Sequence, residues 1–227
     1  MEQSEGFLWI TLMKETNKLF LYDRNIEKEN HIEFIAGFDE AGRGPLAGPV
    51  STAGVILPSD YENDRINDSK KLTDKERREL AKEIKENALA YYIKLVDVKT
   101  IDTINILEAD RQGMECCLSE LLKTHRVDYI ITDYMKLHTN IPLLSIAKGD
   151  ATSQSVAAAS ILAKVTRDDY MIALDEKYPV YGFKKNKGYG TKAHIEAIKT
   201  HGFIKGVHRL TFEPIRSMIE EQLSLFD

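Results

Sequence analysis

Four acidic residues stand where their types and spacing could do chemistry together. Asp39 and Glu40 are adjacent and run straight into the glycine-rich turn GRGPLAGP, which carries Arg43. Asp133 follows the apolar run VDYIIT, and Asp150 closes KGD after a second apolar run, IPLLSI. Each acid therefore sits at the end of a stretch with strand composition. A mixed sheet can bring three such ends to one edge. Carboxylates converging there without basic partners repel one another, and the usual relief is a hard divalent cation bound through oxygen, Mg²⁺ or Mn²⁺. Zinc is not indicated, because the six histidines are scattered and none has HExxH spacing. Two bland readings stand beside this one. Asp39 and Glu40 would be solvated turn residues with Arg43 as their salt-bridge partner, and Asp150 would cap the helix expected after Ser153.

Periodicity and punctuation give the elements that must position these acids. Residues 1–30 mix apolar and charged positions with no turn signal until Asn30 and are expected to form a short helical extension. Strands are expected over 31–38 and 46–57, joined as a hairpin, and over 88–98, 127–132 and 141–146. Thr73 with Glu76 three residues on forms a capping box for a helix to about 87. Asp102 or Thr103 is expected to cap a helix to about 124, a long helix to run from 153 to 177, and shorter ones to cover 192–200 and 211–223. Three antiparallel strands followed by strands interleaved with helices predict an α/β fold, a mixed five-stranded sheet flanked by helices. The expected division is an N-terminal helical extension (1–31), a catalytic domain including the C-terminal helices (32–218) and a tail (219–227). Small residues at Ala157, Ala158, Ala159, Ser160 and Ala163 would let the long helix lie close to the sheet. Because neighbouring strand residues point to opposite faces, Asp39 and Glu40 cannot both enter a site from a regular strand. The chain is expected to bulge or leave the strand there.

Composition excludes several classes. With 43% apolar and 30% charged residues, the chain reads as a globular protein, neither disordered nor membrane-spanning. Its start, MEQSEGFLWI, lacks the basic onset and long apolar core of a signal peptide, so a cytoplasmic location is expected. Cys116 and Cys117 are neighbours in a helical pattern and read as core filler. A formal net charge of -5 gives no general attraction for a polyanion, so any nucleic-acid surface must be local. Residues 177–216 supply one, with nine Lys or Arg against two Glu, interleaved with Tyr178, Tyr181, Phe183, Tyr189 and Phe203. Tyr189, between two glycines, is poorly placed as a core aromatic and well placed to stack on a sugar or base; the alternative is a loop plug. Lys164 and Arg167 would face phosphate or pair with Asp168 or Asp169, and His208 and Arg209 would touch phosphate or hold the last helix.

In order along the chain, GFDEAGRGPLAGPV, DSKKL, ITDYMKL, KGDATSQSVAAASILAKVTRD, KGYGT and HRLTFEP resemble the motif series of bacterial ribonuclease HII. The resemblance spans about 37–214. It implies an RNase H-like fold with a C-terminal helical segment, and a metal site on Asp39, Glu40, Asp133 and Asp150. It also implies endonucleolytic cleavage at ribonucleotides in duplex DNA and in RNA/DNA hybrids, and a Tyr189 packed against the nucleotide 3′ to the ribonucleotide. Tyr134 and Met135 after the third acid, and Gln154 and Val156 in the long helix, are mild departures from the family pattern. The related ribonuclease HIII carries a GTG-like turn and a larger N-terminal domain. The GRG turn here favours HII.

Phosphodiester hydrolysis needs an attacking water made more acidic and a stabilised leaving oxygen, and two cations held by shared carboxylates provide both. The expected products are a 3′-hydroxyl and a 5′-phosphate. The ribose 2′-hydroxyl is then a recognition handle, and Gly42, Arg43 and Gly44 can offer it closely placed backbone groups. The expected role is excision of ribonucleotides from DNA and removal of RNA primers, by a monomer. The chain ends QLSLFD, which resembles the short peptide by which many bacterial replication and repair proteins bind the sliding clamp. Gln222, Leu223, Leu225 and Phe226 would be the clamp-binding residues; alternatively Leu223 and Phe226 fold back on the core.

Overall fold

The structure, a computed structural model, describes residues 17–66 and 72–224. Most of the DSKKL segment, together with Leu225 and Phe226 of the tail, lies outside these residues. Helix α1 (Lys18–Asn30) opens at Asn17, whose side chain accepts from the Leu19 N–H, and closes at His31 in the left-handed conformation (φ 54°). That closure moves the first strand later than predicted. β1 spans Ile35–Ala41 and so carries both acids within it. β2 (Val50–Ile56) and β3 (Ala90–Val96) pair antiparallel, β1 with β2 and β2 with β3. β4 (Tyr129–Asp133) runs parallel to β1, and β5 (Leu143–Ile146) parallel to β4. The order is β3-β2-β1-β4-β5, the expected mixed five-stranded sheet.

The predicted capping box is present: α2 (Asp74–Asn87) starts at Thr73 with Glu76 reciprocating. The single helix expected from Asp102 to about 124 is instead two, α3 (Val98–Ile104) and α4 (Ile106–Thr124). Asn105 breaks them. Its backbone is left-handed (φ 68°) and its side chain accepts from the N–H groups of Leu107 and Glu108, so it terminates one helix and caps the next. Asp102 has a different task, accepting from the Leu210 and Thr211 N–H groups of the C-terminal segment. The chain then runs through a 3-10 turn (Gly149–Ala151), α5 (Gln154–Lys177), α6 (Phe183–Asn186), α7 (Lys192–His201) and α8 (Ile215–Ser224).

Helix α5 covers one face of the sheet and α4 the other. Ala53 and Val55 meet Ala157, Ala158 and Ile161 of α5, whereas Ala36, Phe38 and Ile56 meet Met114, Cys117 and Leu121 of α4. The small-residue stripe does what its composition suggested. A Cβ on Gly37 would stand 2.2 Å from the Ser155 carbonyl carbon, so glycine is what lets α5 lie against β1. Helix α1 fixes the start of α5, because the buried Asp23 accepts from the Ser155 N–H (2.9 Å) and hydroxyl (2.7 Å). A third apolar cluster, which includes Leu46, Met171, Tyr181, Phe183 and Ile198, joins the C-terminal helices to the turn after β1. Tyr181 and Phe183 stack within it. These two aromatics of the basic segment are therefore core, while Tyr189 remains 47% exposed. Among the described residues, no helix is long and apolar enough to cross a membrane.

Candidate active site

Strand register brings the acids together. The parallel pair Phe38↔Thr132 sets Asp39 beside Asp133 at the carboxyl ends of β1 and β4. Asp150 follows β5 in the 3-10 turn and is 5% exposed. It does not cap α5: the Ser153 hydroxyl does, accepting from the Val156 N–H. The expected bulge at the two adjacent acids is absent. β1 pairs without interruption through Asp39↔Ala53, Glu40↔Thr52 and Ala41↔Ser51. Alternation holds, with Asp39 hydrogen-bonded to Ser160 of α5 and Glu40 directed to Arg43 and Asp110 on the α4 side. Both nevertheless line one cleft of about 270 Å³, which joins the end of β1 and the turn after it to Asp133 of β4 and Ser160 of α5. The same cleft is lined by Gly42, Arg43, Gly44, Asp133 and Tyr189, with Lys164 and Arg167.

These acids are not solvated turn residues. Asp39 is 4% exposed; its burial, then the charges of Asp133 and Asp150, push its pKa up to about 7, against hydrogen bonds from Ser160 and the Glu40 N–H. Glu40 is held well above its ordinary value by burial and by the charges of Asp39 and Asp110, with Arg43 opposing. Among the described residues no three acidic, histidine or cysteine side chains already form a coordination cluster. Glu40 is turned to Arg43 at 3.0 Å, and Asp133 accepts from the Gly149 N–H at 2.9 Å. The site still fits a hard divalent cation: its acidic donors are all oxygens, and their crowded charge is the kind a cation relieves.

Asp110 was missed by sequence reasoning. It lies on α4, is fully buried, and accepts from Arg43 Nε at 2.5 Å, so Arg43 is shared between Glu40 and Asp110. A signal was available, because Asp110 falls on the apolar stripe of α4 with Ala109, Gly113, Met114 and Cys117. An acid there has to be paired. Burial raises its pKa to about 6, with Arg43 opposing. Replacing Arg43 by alanine leaves two crowded carboxylates without their cation. We expect Arg43→Ala to cost about 3 kcal/mol at pH 8 in denaturant melts. The loss should shrink below pH 5 as both acids protonate, and an equal loss at the two pH values would contradict this assignment.

The two turn glycines differ in kind. Gly42 has φ 103°, and a Cβ there would sit 2.0 Å from Arg167 Nε. Gly44 has no such constraint: the nearest atom to its would-be Cβ is Tyr189 Cε1 at 3.9 Å, an ordinary van der Waals contact. Tyr189 itself lies with its ring 6.0 Å from the Arg167 guanidinium. Lys164 pairs with Asp168 at 2.7 Å, as one reading expected, but Arg167 does not: it binds backbone carbonyls. His208 and Arg209 are fully buried, which assigns both to structure and not to direct phosphate contact. Of the tail quartet, Gln222 and Leu223 belong to the last turn of α8.

A family model described as Ribonuclease HII matches residues 36–215. A curated relative of that name from Bacillus cereus (strain AH820) is 50% identical over 197 residues, 87% of this chain and 76% of the relative. The crystal structure of ribonuclease H2 from Pyrococcus horikoshii OT3 superposes with a TM-score of 0.69 at 28% identity, covering 83% of this chain and 98% of that one. RNase HII of Archaeoglobus fulgidus, solved as a PCNA:RNase HII complex, gives 0.64 at 27% identity, covering 79% and 95%.

Proposed function

The chain belongs to the ribonuclease HII family and is a metal-dependent ribonuclease H, and on that premise we propose which bond it cuts and how. Its substrate is the phosphodiester 5′ of a ribonucleotide embedded in duplex DNA, as well as the RNA strand of RNA/DNA hybrids. The products carry 3′-hydroxyl and 5′-phosphate ends. One observation carries this reading: the acids at the ends of β1 and β4 share one cleft with the turn 42–44 and with the half-exposed Tyr189. A sugar edge on that wall would lie next to the bond to be cut.

Asp39, Glu40, Asp133 and Asp150 would hold the cations. Mg²⁺ or Mn²⁺ bound there supplies Lewis acidity, which makes an attacking water more acidic and neutralises charge on the leaving oxygen. The chain's own groups do the rest. Backbone N–H groups of the 42–44 turn donate to the ribose 2′-hydroxyl, which a deoxyribose cannot match. Tyr189 stacks on the neighbouring nucleotide and fixes the strand's position. Ser160 holds Asp39 in place by its hydrogen bond. We assign the activity to ribonucleotide excision and primer removal in the cytoplasm, performed by a monomer.

Two duplexes test this, one with a single embedded ribonucleotide and one with four or more, each with Mg²⁺ or Mn²⁺. Cleavage of both supports the proposal. Cleavage of only the longer tract points to an HIII-like enzyme, and cleavage of neither to a hybrid-binding module without turnover. The tail carries a separate proposal, that Gln222, Leu223, Leu225 and Phe226 dock in a sliding clamp. The PCNA complex of the archaeal relative supports it. Deleting 222–227 should abolish clamp capture in a pull-down and leave cleavage intact; loss of cleavage with capture unchanged would overturn it.

A further inference from the structure

We propose that Arg209 is the positioning residue of the ribose-reading turn, holding its peptide planes from beneath so that two N–H groups face the cleft. This rests on the reading of the 42–44 turn given above. Arg209 and Arg167 are 0% and 1% exposed, and among the described residues neither forms an ion pair. A buried guanidinium without a counter-ion is costly unless its donors are used. Here they are used, all but one of them on a single turn. Arg209 donates to the carbonyls of Gly48 (Nε, 3.0 Å), Arg43 (Nη1, 2.8 Å) and Gly42 (Nη2, 2.7 Å). Arg167 donates to Pro49 (Nε, 3.0 Å), Ala47 (Nη2, 3.1 Å) and Lys187 (Nη1, 3.0 Å). Two forks thus hold five carbonyls between residues 42 and 49.

The consequence follows from peptide geometry. A trans peptide is planar, with its N–H antiparallel to its C=O. Drawing the Gly42 and Arg43 carbonyls down onto Arg209 therefore aims the Arg43 and Gly44 N–H groups the opposite way. Among the described residues neither of these N–H groups has an acceptor. Gly42, Arg43 and Gly44 all line the cleft. Arg209 supplies two adjacent, unused donors on the wall where a 2′-hydroxyl would lie, and does so without touching substrate. Its planar fork is what matches two successive carbonyls, a geometry that the single ammonium of lysine does not reproduce. The same arrangement explains Gly42, whose missing Cβ makes room for the Arg167 side chain.

The test uses the full chain with Arg209→Lys, Arg209→Gln and Gly44→Ala. Binding to a duplex with one ribonucleotide and to the same duplex all in DNA is read by fluorescence anisotropy without divalent metal. Arg209→Lys should melt cooperatively, keep the wild-type rise in melting temperature on adding Mn²⁺ and keep its affinity for the all-DNA duplex. Its preference for the ribonucleotide duplex should fall about tenfold, the size of one lost hydrogen bond. Should the lysine variant not fold, Arg209→Gln carries the same readout; if neither folds, the arginine serves the fold and the proposal is overturned. An undiminished preference in a folded variant also overturns it. When Gly44→Ala loses the preference and Arg209→Lys keeps it, only the role of Arg209 falls. When both keep it, the ribose-reading turn itself is wrong.

Discussion

Asp39→Asn should lower cleavage of a single-ribonucleotide duplex by about a thousandfold, the scale for losing a group on which transition-state charge stabilisation depends. The same variant should be more stable than wild type in metal-free buffer at pH 8. The reason is the cost of a buried carboxylate crowded by Asp133 and Asp150, which keeps the Asp39 pKa up at about 7. With the folded pKa above the unfolded one, the native state binds the proton more tightly, so stability is fullest below pH 4 and falls as pH rises to 7. Asparagine cannot ionise and escapes that fall, worth on the order of a few kcal/mol. Its side-chain oxygen still accepts from the Glu40 N–H, which donates to Asp39 Oδ1 at 2.7 Å. Adding Mn²⁺ should raise the wild-type melting temperature strongly at pH 8 and that of the variant much less. Melting curves between pH 4 and 8 with EDTA or Mn²⁺ check all of this. Cleavage within tenfold of wild type, or identical pH dependence of the two metal-free proteins, would remove Asp39 from the site.

The acids were legible in the sequence because each closes a β-rich run, and parallel neighbours β1, β4 and β5 must end on one side of the sheet. Alternation along β1 was legible too, but its consequence was misjudged. Alternation predicts a bulge for two neighbours that share a site, whereas Asp39 and Glu40 line one cleft from an unbroken ladder. The break at Asn105 was hidden, because asparagine inside an apolar periodicity does not announce a left-handed backbone. The charge of Arg167 suggests a phosphate or an acid as its partner, and that of Arg209 a phosphate, beside a structural role at the last helix. Five of their six partners are carbonyls of a turn more than a hundred residues away, which carry no side-chain signature. The clustered basic and aromatic residues of 177–216 misled in the same way, since Tyr181, Phe183 and Arg209 face inward.

Gly44→Ala should lower cleavage at a single embedded ribonucleotide about a hundredfold while leaving the fold intact. Most turn glycines cannot be tested so cleanly. At Gly42 a methyl group would collide with Arg167, and at Gly188, with φ 82°, it would stand 2.4 Å from the Ala47 carbonyl oxygen, so substitution there confounds folding with function. At Gly44 the protein offers no obstacle nearer than Tyr189 Cε1 at 3.9 Å. Alanine should add about 0.5 kcal/mol by narrowing the unfolded ensemble. The added methyl group instead packs against the Tyr189 ring on the cleft wall where the proposed sugar edge has to lie. A sugar displaced by about 1 Å moves both its 2′-hydroxyl away from the Arg43 and Gly44 N–H groups and its phosphate away from Asp39 and Asp133, and displacements of that size cost about a hundredfold in rate. Binding to an all-DNA duplex should be unchanged, because contacts to the outer phosphates do not involve this wall. Thermal melts, single-turnover cleavage and anisotropy on the same preparation separate these terms. Wild-type cleavage by a Gly44→Ala protein of wild-type stability would show that no ribose rests on the cleft wall at Gly44, and the recognition function would have to leave the turn altogether.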